Sequence, residues 1–247
     1  MCKRTSILIY PLIIIGLFAS SCGKDDSNPS SDNPTNGKTT AVFNSDITYG
    51  TMTDQDWNVY RTVTIGTQTW MAENLRTTIY NDGTAIPYVP GKDEWAELTN
   101  GAFCNYNNTG NTDTIATYGR LYNWFTVNTG KLAPIGWHVA TDAEWTELTN
   151  YLNGEDVAGN KLKESYSIHW NNSWPYVTNE TGFTALPGGH RGGSGIFNGI
   201  GTTGYWWSAT ESVNSSAWLR RISNFDSKVY RDGSSFKVGF SVRCIKD

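Results

Sequence analysis

Cysteine is scarce in this sequence, with four in 247 residues, and two of those, Cys2 and Cys22, stand before any recognisable folded region. Charge is scarce as well: 17% of residues are charged and the formal net charge is −4, so there is no basic footprint of the kind nucleic acid requires. No apolar run reaches the roughly 20 residues that a membrane-spanning helix needs; the longest, Ile7 to Phe18, is about a dozen and is broken by Tyr10, Pro11 and Gly16. The three histidines, His138, His169 and His190, have no metal-type spacing, which leaves zinc without a motif. A Gly-x-Ser-x-Gly elbow is absent. The glycine-rich run Gly188 to Gly195 matches neither a phosphate loop nor a dinucleotide fingerprint, both of which demand a helix next. These absences leave no catalytic motif and predict a chain that is not an enzyme.

What is present begins with an address. Lys3 and Arg4 precede the short apolar run, and Leu17-Phe18-Ala19-Ser20-Ser21-Cys22 places small residues before a cysteine. That pattern resembles the lipobox of bacterial lipoproteins and predicts a signal peptide over 1–21, cut between Ser21 and Cys22, with lipid on Cys22. Two or three acyl chains on one residue give stable membrane anchoring. The following polar residues hold no large apolar side chain through Thr40 and read as a flexible stalk over 22–43. Its start, Gly23-Lys24-Asp25-Asp26, resembles the signal for the outer face of the outer membrane, so the expected location is an outer membrane lipoprotein exposed at the cell surface.

The body, 44–247, suits one domain. Val59 to Ile65 and Gln68 to Met71, separated by Gly66-Thr67, read as a hairpin. Tyr118 to Val127 reads as a short buried helix. Thr141-Asp142-Ala143-Glu144 is a capping box that opens a helix with Trp145, Leu148 and Leu152 on its core face, Tyr151 beside them, and Gly154 at the expected left-handed end. Tyr205 to Ser208, Ala217 to Ile222, Lys228 to Arg231 and Gly239 to Cys244 read as strands of one antiparallel sheet. Cys104 and Cys244 are the remaining thiols of a secreted chain; the expectation is a disulfide between them, the alternative two buried free thiols.

The segments Trp57-Asn58-Val59-Tyr60, Ile65 to Leu75, Tyr80 to Pro87, Leu121 to Trp124, Gly136-Trp137-His138-Val139, Gly182 to Gly189, Tyr205 to Ser208 and Gly239 to Cys244 together resemble the Fibrobacter succinogenes major paralogous domain. The resemblance implies an α+β fold: a C-type lectin-like domain, related to the formylglycine-generating enzyme group, with short antiparallel strands, two main helices and long ordered loops. Ala133 stands where many relatives have cysteine, which favours Cys104 as the partner of Cys244. The copper-binding cysteine pair of the oxidases is missing, so that activity does not carry over. The calcium-binding loop motifs of sugar-binding lectins are missing too, and Trp170-Asn171-Asn172 only partly echoes their strand motif. Calcium is thus the one cofactor left open, and no other is expected.

Most aromatics fall in periodic runs and read as core. Trp170, Trp174 and Tyr176 do not, and they precede His190 and Arg191 in the loop region where lectin-like domains bind ligands. These five residues are the candidate ligand-binding set. The function expected is a surface-anchored, non-catalytic binding module for a glycan or a surface protein. A structural or assembly component of the cell envelope, and then a glycan hydrolase, are the alternatives.

Overall fold

Strand alternation and paired turns build most of the molecule. A computed structural model describes residues 33–165, 168–171 and 177–247, so Ser21, Cys22, Trp174 and Tyr176 lie outside the described residues. The first sheet holds β1 (Gly50–Thr53), β2 (Val59–Ile65), β3 (Gln68–Met71), β12 (Cys244–Lys246) and β6 (Trp137–Val139), all antiparallel, in the order β1-β2-β3-β12-β6. The second holds β7 (Gly188–Arg191), β8 (Phe197–Ile200), β9 (Thr203–Glu211), β10 (Ser216–Ser223) and β11 (Val229–Ser235), ordered β11-β10-β9-β7-β8, with β7 and β9 parallel. A two-stranded ladder, β4 (Phe103–Cys104) with β5 (Leu121–Tyr122), stands apart. Short helices fill the connections: α1 (Lys92–Ala96), α2 (Thr112–Tyr118), α3 (Trp124–Val127), α4 (Asp142–Tyr151) and α5 (Glu155–Leu162). The architecture is α+β and mostly sheet. No described helix is long and apolar enough to cross a membrane.

The expected hairpin is β2–β3, turning through Gly66 at φ +62°. The capping box of α4 is complete, with Thr141 and Glu144 satisfying each other's amides. Its end differs by one residue. Asn153, at φ +76°, is the helix-ending residue and Gly154 follows at φ +101°; Asn153 N–H donates to Asn150 O and Gly154 N–H to Thr149 O, the two bonds of a Schellman turn. Gly154 is instead the first residue before α5.

Tyr118 to Val127 is not one helix. Gly119, at φ +73°, ends α2, and a Cβ there would meet Asn74 Cβ at 2.6 Å, so the chain must turn away before Asn123 caps α3. The last predicted strand also departs from its expected sheet. Gly239, Phe240 and Ser241 make single bridges to Arg191, Tyr122 and Trp206, and only Cys244–Lys246 forms a strand, between β3 and β6 of the other sheet.

Two aromatic clusters fill the interior, and β9 divides them. Its alternation sends Trp207 into a cluster with Tyr122, Trp124, Phe240 and Cys244, and Trp206 into another with Trp70, Trp145 and Phe183. Buried indoles are anchored as well as packed: Trp206 donates to Asn74 Oδ1, Trp207 to Tyr122 O and Trp124 to Ser208 O.

The disulfide expectation is corrected. Cys104 and Cys244 are both free and buried. Cys104 lies on the separate β4–β5 ladder with Trp95 and Leu121, whereas Cys244 lies in the large cluster with Val139 and Ala133. Burial pushes the Cys104 thiol up to about 12 and the Cys244 thiol further.

Residues from Asn33 to Thr40, expected to belong to a flexible stalk, are fastened to the body. Thr35 is buried and its hydroxyl bonds Asn58 and accepts from Arg76 Nε, while Asn36 accepts from Val59 N–H. Further on, Val42 N–H donates to Glu164 and Asn44 to Asn179 O. Side-chain hydrogen bonds thus hold this polar strap where apolar burial does not.

Candidate functional site

Most chemically interesting side chains turn out to be spent on the fold. Arg191 is fully buried; its guanidinium donates to the carbonyls of Val89, Pro90, Gly91 and Gly195 and lies over Trp95 and Phe197. Trp170 is buried too, with its indole donating to Ala185 O and its ring beneath Lys163, whose ammonium burial lowers to about 8. Neither reaches a ligand in this arrangement.

His190, on β7, is half-buried. Its ring meets Tyr205 at 4.8 Å and Phe240 at 5.9 Å, Nδ1 is buried without a partner, and burial holds the imidazole below its ordinary pKa. The structure therefore separates His190 from the Arg191 and Trp170 environments rather than gathering them into one site.

The other two histidines are clamped. His138 Nε2 lies 2.7 Å from Glu144 Oε1 and Nδ1 lies 2.7 Å from Asp247 Oδ1. Burial alone would lower this imidazole, but the two carboxylates outweigh it and hold it above its ordinary value. Glu144 meanwhile serves the α4 cap through its second oxygen.

His169 sits between buried Glu164, 2.8 Å from Nδ1, and Thr40 Oγ1, 2.9 Å from Nε2. This is a hydroxyl–imidazole–carboxylate alignment, yet the Thr40 hydroxyl also lies 3.0 Å from Thr117 Oγ1 and its own amide donates to that atom. The group latches the strap. The amides of Thr40 and Ala41 are themselves spent, donating to Thr117 Oγ1 and Thr39 Oγ1. Among the described residues no group of three or more His, Cys, Asp or Glu is placed to hold a metal.

An open groove lies elsewhere, between the end of α4, the β2–β3 turn and the 180–181 loop. It is lined by Ile47, Thr64, Ile65, Gly66, Tyr151 and Glu180 among others, and its volume is about 330 Å³. Tyr151 is 62% exposed and approaches the turn closely because Gly66 has no side chain. A Cβ at Gly66 would stand 3.1 Å from the ring, so the turn forms a flat floor for the phenol. Around it are polar groups: the Thr64 and Thr69 hydroxyls, 3.0 Å apart, and Glu180, paired with Lys161 at 3.2 Å. A flat ring with hydroxyls and a carboxylate at its margin can stack on an apolar face and hydrogen-bond its polar edge.

Trp170, His190 and Arg191 do not line this groove, and Trp174 and Tyr176 lie outside the described residues. The signal for it was in the helix: Trp145, Leu148 and Leu152 mark the buried stripe of α4, and Tyr151 falls off that stripe toward solvent. A smaller apolar cleft of about 160 Å³, lined by Val127, Leu132, Ala133, His138 and Val139 among others, has fewer polar groups to recognise a ligand.

No curated protein and no solved structure matches the chain. The family described as the Fibrobacter succinogenes major domain does match, over residues 63–246, from within β2 to the end of β12. The buried anchors fall inside that span: Asn74, which bonds Trp206 and Arg243, and Arg243, which donates to the carbonyls of Met71, Phe183 and Thr184. With most of its length inside the match, the chain belongs to the Fibrobacter succinogenes major domain family.

Proposed function

We propose that this domain is a non-catalytic glycan-binding module, carried outside the cell by lipid on Cys22, with the sugar seated on Tyr151. The observation that carries the reading is the exposed Tyr151 ring lying close against Gly66 in an open groove. The C–H face of a pyranose stacks on a phenol, and its hydroxyls meet Glu180 and the Thr64–Thr69 pair. A relation to C-type lectins belongs to the same proposal, supported by the mixed sheets, short helices and loop-built surface. Such a shallow site suits modest affinity raised by many copies on one cell.

The test is a glycan array probed with the full chain in detergent. Tyr151→Ala should weaken the best-retained glycan by at least about tenfold, and Tyr151→Phe should keep most of it. Because the ring is exposed, the melting temperature should not fall. No retained glycan, or equal retention by Tyr151→Ala, overturns the reading. Display is a separate matter, tested by protease shaving of intact cells: survival of the body until lysis would rule out an outward-facing chain.

A further inference from the structure

We infer that the end of the body nearest the tether is a membrane-docking face, with Trp57 seated in the lipid headgroup layer. Trp57 sits at φ +61°, in the left-handed region that a bulky residue seldom occupies, and is 49% exposed. The turn holding it is tightly built. Asp54 N–H donates to Asn58 O, Trp57 N–H donates to Asp54 O, and the Asp54 carboxylate accepts from the amides of Asp56 and Asn58 and from Tyr60 OH. A turn that forces a tryptophan outward against its backbone preference gains nothing for the core, and such strain points to an external partner.

The partner is identified by where the chain arrives. Asn33 Nδ2 donates to Asp56 O at 2.8 Å and Asn36 Nδ2 to Trp57 O at 3.0 Å, so the strap enters the body on the very turn that carries Trp57. Eleven residue steps separate Cys22 from Asn33, which even fully extended reach no more than about 40 Å. A lipid-bearing Cys22 therefore keeps the residue that bonds this turn within about 40 Å of the bilayer. That limit rests on the reading of Cys22 as the lipidated residue.

The chemistry suits the interface. The Trp57 indole is half exposed and has no protein acceptor for its N–H among the described residues. An amphipathic ring of this kind prefers the headgroup level of a membrane. Two exposed residues on segments tied to this turn are candidates to extend the face. Gln55 Nε2 donates to Ile79 O and Leu132 O, which joins the turn to the loop carrying Ile135, 87% exposed. Lys38, exposed on the strap, adds a cation suited to lipid phosphate.

The experiment uses the full lipidated chain in phosphatidylethanolamine–phosphatidylglycerol vesicles whose acyl chains are brominated near the headgroup. Bromine quenches only tryptophans in contact with it, so wild-type emission should fall by up to one residue's share of the eleven tryptophans. Trp57→Phe should abolish that loss, Ile135→Asp should reduce it, and both should keep glycan binding through Tyr151. Equal quenching of wild type and Trp57→Phe overturns the proposal. Mass spectrometry of Cys22 reports on the anchor separately. Should it carry no lipid, the same vesicles are co-sedimented with the unlipidated chain: binding weakened several-fold by Trp57→Gly sustains the docking face, and absence of binding overturns it.

Discussion

At the scale of single residues, Trp57 and Tyr151 are among the few large aromatics left exposed, with Tyr88 and Phe225. A non-glycine residue in the left-handed region costs about 1 kcal/mol or more, so Trp57→Gly should raise the unfolding free energy by roughly that amount. A shift of the urea midpoint to higher concentration checks this, and a lower midpoint would mean that the indole stabilises the body. Two of the loop candidates are drawn into the fold itself. Arg191 and Trp170 carry donors that look available for a ligand, but the fold directs them to carbonyls at Val89, Pro90, Gly91 and Ala185. Whether a polar side chain is free depends on which distant carbonyls need a donor, and no local pattern encodes that.

Among elements, α4 shows how one side chain serves two structures. Glu144 closes the cap with one oxygen and pairs with His138 of β6 through the other, while Asp247 holds the opposite nitrogen of the same ring. The folded-state pKa of His138 is raised, so its contribution to stability is complete below the unfolded value near 6.5 and fades as pH rises through the folded one. With the imidazole more than a third exposed, solvent screening limits the effect to well under about 1 kcal/mol. Thermal unfolding across pH 6 to 8 should show a small decline for wild type that His138→Gln lacks; a parallel decline in both would remove the clamp from the account. The cap of α4 and the β2–β3 hairpin were legible in sequence because each is settled within a few residues. The break at Gly119 was not, since it follows from close approach to Asn74.

For the molecule as a whole, the strap is the least expected feature. Through Thr40 it carries no large apolar side chain, yet Thr35, Thr40, Val42 and Asn44 bond the body along its length, and Phe43 and Ile47 further along pack against the core. The Thr40–His169–Glu164 latch fastens its middle. His169→Ala should quicken amide exchange at Thr40 roughly five- to tenfold, the loss of about one hydrogen bond, while Val63 within β2 is unchanged. Unaltered exchange at Thr40 would show that the strap is held by its other contacts alone. Fastened this way, the strap links the turn at Trp57 to Ile47 in the Tyr151 groove, so the proposed membrane face and the proposed ligand site share one continuous segment.

Taken alone, the sequence determined the family and the local elements: the β2–β3 hairpin, the capped α4 and the alternating runs of β9, β10 and β11. Those depend on periodicity and on caps a few residues long. Tertiary structure decided the state of the thiols, the sheet that Cys244–Lys246 joins, and which side chains remain open to a ligand. Cys104 and Cys244 invited pairing by compartment and number, but a bond requires geometry set by β4 and β12, which lie in separate sheets. The same long-range packing buried Arg191 and Trp170 and left Tyr151 exposed over a glycine more than eighty residues away.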